Sequence, residues 1–204
     1  MINFLLQNLS RSFQLFFLGL GISKKIDHNF KDMNFKQNDF INYKIIKYYI
    51  LKDDFINKEN NQDIHTFNFL FFYQKLGGKK GIELSKKNIF LWFKKFKYNK
   101  NFLWDSDLAS NRFINLIYSY DFICSNSNPK DITQVNLILN FHIKRINFEI
   151  SLKNSGELNS SEILALVLIE CCKNSLSTKL NTKIDNMINL QIDENSMHKS
   201  YNIL

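Results

Sequence analysis

A chain of 204 residues with 45% hydrophobic content is long enough to bury one core, and its formal net charge of +8 favours polyanionic over basic macromolecules as partners. Its three cysteines, Cys124 and the adjacent Cys171 and Cys172, give no disulfide framework and fit a reducing compartment, and Cys171 and Cys172 read as small buried hydrophobes. Asn, Lys, Ile, Phe and Tyr dominate while Pro occurs once, a bias toward A/T-rich codons that makes part of the lysine content mutational in origin.

From Met1 to Ile22 the chain is apolar, with Arg11 as its only charge. Its longest apolar run, Leu15–Ile22, is far shorter than the roughly 20 residues needed to span a bilayer, and no basic stretch precedes it as in a secretory signal. The segment reads as a helix packed on the domain or on a partner, with a membrane-surface helix as the alternative. Residues 24–66 are polar, interrupted by Phe30, Phe35, Phe40 and the run Tyr43–Leu51. Isolated aromatics in a polar stretch suit a segment ordered by a large partner. Glu59 to Asp63 reads as a loop, so residues 1–66 are assigned to an N-terminal extension and 67–204 to the domain.

Phe67–Leu76 is expected to be helical and to stop at Gly77-Gly78. Gly81–Lys97 follows as an amphipathic helix with Ile82, Ile89, Phe93 and Phe96 on one stripe. Between Lys75 and Lys100 stand nine lysines and one acid, Glu83, so the basic surplus of the chain is local. Such a patch is the electrostatic footprint of a site for a polyanion, most often nucleic acid, although a solvated helix face gives the same pattern. Asp105–Tyr120 reads as a further helix, with Ser106 as N-cap and Ala109, Phe113, Leu116, Ile117 and Tyr120 buried.

Tyr118–Cys124 and Ile132–Leu139 are β-prone, and the turn-forming cluster Ser125–Asp131 between them holds Pro129, which predicts a β-hairpin over about residues 118–139. Phe141–Leu152 fits either strand or helix. Asn159-Ser160-Ser161-Glu162 has the spacing of a capping box and opens Ser160–Ser175, expected to be the central buried helix. One more helix is expected around Ile184–Ile192. The fold class is therefore mainly α, a helical bundle with a β-hairpin arm and an N-terminal extension.

Catalytic constellations are missing from the pattern. Gly77-Gly78-Lys79-Lys80-Gly81 lacks the spacing of a nucleotide-binding loop, though its amides could help hold a phosphate. His28, His65, His142 and His198 are scattered, and the acid pairs Asp53-Asp54, Asp105/Asp107 and Asp193-Glu194 fall in loops or near helix ends. No enzyme, metal, cofactor or small-molecule substrate is expected. Binding chemistry remains: Lys75, Lys79, Lys80, Lys86, Lys87 and Lys94 can neutralise phosphates, Lys144 adds a cation, and Arg145 could clamp a phosphate or stack on a base. Trp92 and Trp104 are candidates for base stacking but fit core packing better.

The order of these features resembles small-subunit ribosomal protein seven in its bacterial and organellar form. Leu76-Gly77-Gly78-Lys79-Lys80 resembles the Gly-Lys-Lys start of that family's domain, and Thr133-Gln134-Val135 its Tyr-Gln-Val-Pro strand. Lys144-Arg145 is similar to its arginine pair. Leu164-Ala165, Cys171-Cys172-Lys173-Asn174 and the stretch from Thr178 to Met187 are similar to its last helix and tail. The likeness covers about residues 67–200. Asn136 stands where the motif has proline, and Asn128-Pro129-Lys130 replaces the paired glycines and arginines of the hairpin tip. The resemblance implies a structural protein of an organellar, organelle-encoded small ribosomal subunit in the mitochondrial matrix. It would bind ribosomal RNA in the subunit head beside neighbouring ribosomal proteins. Two rival readings are an assembly subunit of a multisubunit RNA polymerase, from Phe148–Leu158 and the helix after it, and an accessory subunit of a respiratory complex, from the apolar N-terminus.

Overall fold

The computed structural model describes Ser10, Arg11, Phe13, residues 62–99, 102–153 and 157–172, and Thr182 and Asp185. Two short helices open the packed body, α1 (Gln62–Thr66) and α2 (Phe69–Leu76). The corner between them is Phe67, whose φ of 63° lies in the left-handed region that bulky residues rarely adopt. Packing holds it there: the ring is fully buried, with centroids of Phe69 at 5.4 Å and Trp92 at 5.2 Å. Asn115 of a later helix donates to the Thr66 carbonyl and to Asn68 Oδ1, both at 2.8 Å, and so pins both sides of the corner. Ile64, His65 and Thr66 are buried, so the core begins inside the segment assigned to the extension.

At Gly77 the chain reverses with φ 67°, its N–H donating to Tyr73 O at 3.0 Å, and α3 (Gly78–Phe96) starts at once. The two helices meet so closely that a Cβ on Gly81 would overlap the Tyr73 carbonyl oxygen. Along α3 the buried residues Ser85, Asn88, Ile89, Trp92, Phe93 and Phe96 recur at three- and four-residue intervals, the spacing of one buried stripe. A 3-10 turn, Phe102–Trp104, then carries Trp104 into the core, where its Nε1 donates to Phe96 O at 2.8 Å.

The centre belongs to α4 (Ser106–Tyr118), buried from Arg112 through Ile117 and packed against α1, α2, the 3-10 turn and the later helices Tyr120–Cys124, Pro129–Ser151 and Ser160–Cys172. The helix from Ser160 does not take that place: Leu164 is 38% exposed and Cys171 is exposed. Asp105 rather than Ser106 occupies the N-cap position of α4.

The β-hairpin expected over about 118–139 is not formed, and no strand occurs among the described residues. Tyr120–Cys124 is a short helix, α5, and Pro129–Ser151 is one 23-residue helix, α6, which makes Phe141–Ser151 helical with Leu152 as its C-cap. The supposed hairpin tip is a helix start: Asn128 Oδ1 accepts the Asp131 N–H at 2.8 Å, and Pro129 sits in the first turn, where its missing N–H costs nothing. Val135, Ile138, Leu139, Ile143, Ile146 and Ile150 are buried at helical spacing. The cost of β-branched residues in a helix is at most about 0.7 kcal/mol each, less than the roughly 1.5–3 kcal/mol gained by burying each side chain.

The last described helix, α7 (Ser160–Cys172), has the reciprocal cap its sequence suggests. Glu162 N–H donates to Asn159 Oδ1 and Asn159 N–H to Glu162 Oε2, both at 2.9 Å. The fully buried Glu162 carboxylate also accepts from Lys153 Nζ at 2.6 Å and from the Ser106 hydroxyl, joining the starts of α4 and α7 to the chain just after α6. Most of the helix expected at 184–192 and most of that expected over residues 1–22 lie outside the described residues.

Candidate nucleic-acid interface

Amphipathicity fixes where the lysines go. With its apolar stripe turned inward, α3 exposes Lys80, Glu83, Lys87, Leu91 and Lys94 along one face, with Lys79 and Lys95 on its flanks. Lys79 and Lys80 stand in the first turn, and no acid stands there with them. Their charge therefore adds to the positive end of the helix dipole instead of opposing it. Lys79 lies 3.9 Å from Glu83, both side chains being exposed. Lys75, half-buried, belongs to the last turn of α2.

Two members of the expected set have other duties. Lys86 turns inward to Asp131 Oδ2 at 2.7 Å and Ser127 Oγ at 3.2 Å, with 16% of its side chain exposed. It ties α3 to the start of α6. Arg145, expected to clamp a phosphate, is 1% exposed and donates to Glu149 Oε1 at 3.0 Å. Its guanidinium lies 5.3 Å from the Trp104 ring, and Arg11 reaches the other oxygen of Glu149 at 2.9 Å. Arg145 therefore leaves the candidate site. Lys144 is half-buried on α6, and burial lowers its amine below the usual lysine range. It follows Phe141 by one turn, and Phe141 meets Phe93 at 5.1 Å and Tyr98 at 6.5 Å beside the end of α3.

Trp92 and Trp104, fully buried, line a pocket of rings around a cation the sequence did not reveal. Arg112 is completely buried, 4.1 Å from the Trp92 ring and 4.7 Å from that of Trp104. It donates to His65 O at 2.6 Å, Leu103 O at 2.8 Å and His142 Nε2 at 2.9 Å. An acceptor at Nε2 fixes His142 as the neutral tautomer that donates from Nδ1 to Ile138 O at 2.8 Å. Burial first, then the Arg112 charge, hold His142 well below its usual pKa. A basic residue inside the apolar face of α4 was the available signal. Among the described residues the exposed rings lie elsewhere, at Phe13, Tyr98 and Phe102.

Burial pushes the Cys124 thiol up to about 11, leaving it protonated at neutral pH. Among the described residues no three His, Cys, Asp or Glu side chains gather as a metal site, and no helix is long and apolar enough to cross a membrane. Comparisons with protein-family models, with curated proteins and with solved structures find no match.

Proposed function

We propose that the protein is a helical, non-catalytic RNA-binding component of a ribonucleoprotein, and that this particle is the small subunit of a mitochondrial ribosome. One observation carries the RNA reading. Lys79 and Lys80 crowd the positive end of a 19-residue helix with no acid in its first turn, an arrangement that costs the helix stability and that a bound polyanion relieves. Lys87 and Lys94 extend the charge along the same exposed face for two further steps of seven residues. Such a row reads phosphates by position and shape. The ribosomal assignment is supported by the order of motifs and by the A/T-coded composition. The helices that take the place of a hairpin over 118–139 and the buried Arg145 remove the hairpin arm and the arginine clamp from the contacts the resemblance implies.

The test is to sediment a lysate of the native source on a sucrose gradient and follow this chain by mass spectrometry, with and without ribonuclease. Comigration with small-subunit RNA, abolished by digestion, is the expected result. Comigration with a different RNA keeps the binding role and removes the ribosome. Migration unaffected by ribonuclease overturns both, and membrane association in high salt then separates the respiratory-complex reading from the polymerase one.

A further inference from the structure

We infer that the end of α3 is a stacking platform for unpaired nucleobases, built from Tyr98 and Phe102 and flanked by Lys94, Lys95 and Lys97. The inference rests on the RNA-binding reading and specifies the part of an RNA this surface takes: an unpaired stretch, not a duplex. Tyr98 is 49% exposed and Phe102 56%, while the neighbouring Trp92, Phe93, Phe96 and Trp104 are buried. The two exposed rings are not loose. Tyr98 meets Phe141 in a T-shaped pair at 6.5 Å, and Phe102 meets His65 in another at 6.4 Å. These contacts hold the two rings in place while about half of each stays exposed.

Charge accompanies the rings. Lys97 Nζ stands 4.7 Å from the Tyr98 centroid and 5.8 Å from that of Phe93, and Lys94 and Lys95 are exposed one turn earlier. A stacked base brings its phosphate within reach of such amines, which is how sequence-tolerant single-strand sites combine aromatic faces with cations. A duplex keeps its base faces stacked internally and offers them nothing. Elsewhere among the described residues, the exposed large apolar side chains are Phe13 and the aliphatic Leu76, Leu91, Leu137 and Leu164.

The experiment uses the full chain and fluorescence anisotropy with three probes: a single-stranded oligouridine, an RNA duplex of equal length, and heparin. Tyr98→Ala with Phe102→Ala should weaken oligouridine binding by roughly tenfold per ring and leave the duplex unchanged. Tyr98→Phe and Phe102→Tyr, which keep the rings, should retain affinity. Tyr98→Leu, which preserves an apolar contact for Phe141, should lose it. Unchanged oligouridine affinity in the double variant, or equal losses on all three probes, overturns the platform. Salt-dependent RNA binding that ignores ring removal sinks the platform alone. No salt-dependent RNA binding by the unaltered chain sinks the RNA reading and the platform together.

Discussion

Arg112 has no acid within ion-pair distance among the described residues; its charge is met by two carbonyls, one imidazole and the faces of Trp92 and Trp104. A buried cation held in this way is stable only while each acceptor keeps its geometry. Replacing a whole buried polar cluster by hydrophobes can be neutral, but removing the donor alone strands the acceptors. Arg112→Met leaves His65 O, Leu103 O and His142 Nε2 buried without that donor, and should cost about 3 kcal/mol or more, read as a lower urea midpoint at unchanged m-value. The neighbour His142 links the same cluster to pH. In the unfolded chain it titrates near 6.5, while in the folded chain its pKa is lowered. The unfolded state therefore binds the proton first, and this residue's contribution is fully present above pH 6.5 and is lost as pH falls from there toward the folded pKa. The groups facing the ring on this side are Arg112 from α4 and Arg145 from its own helix, both repelling a proton there. His142→Asn, which stays neutral, should flatten the fall in urea midpoint below pH 6.5; an unchanged fall would assign it to carboxylates. At this scale Arg145 was half legible: Glu149, four residues on, is its natural helical partner. The partner of Lys86, Asp131, lies 45 residues away and could not be inferred.

Among the elements, α3 and α4 were readable because single-face periodicity runs through them without competing turn signals. The stretch 118–139 was not, because local propensity and turn chemistry both pointed to strands while the spacing that decides the matter extends to Ile150. Read over a long enough window, residues 135, 138, 139, 142, 143, 146 and 150 form one helical stripe, and Asn128-Pro129 becomes a cap. The α2–α3 reversal depends on a glycine whose role the sequence did not show. Gly81→Ala should gain about 1 kcal/mol in helix propensity but meets the Tyr73 carbonyl oxygen, a backbone atom that no rotamer change can move aside. Overpacking costs about 1–3 kcal/mol, so the net effect is destabilising. A thermal midpoint at or above that of the unaltered chain would show that the two helices can separate freely.

Among the described residues, α3 gathers a row of exposed lysines on one face, and the value of that face depends on salt. Each neutralised phosphate on single-stranded RNA contributes about −0.7 to the slope of log affinity against log salt. If Lys79, Lys80, Lys87 and Lys94 each meet one phosphate, the slope for oligouridine should be about −3. Neutralising two of them, Lys79→Gln with Lys80→Gln, should reduce its magnitude by about 1.4. Stability should move the other way. Both lysines stand at the positive end of α3 with no acid in the first turn, so removing their charge relieves the helix, and the thermal midpoint should hold or rise slightly. A surface kept only for solubility would give the stability change without the slope change. A variant that loses both binding and thermal stability would mean that Lys79 and Lys80 support the fold itself. Weaker binding from a protein at least as stable is the outcome that makes these two lysines a site, positioned for a ligand at some cost to the helix that carries them.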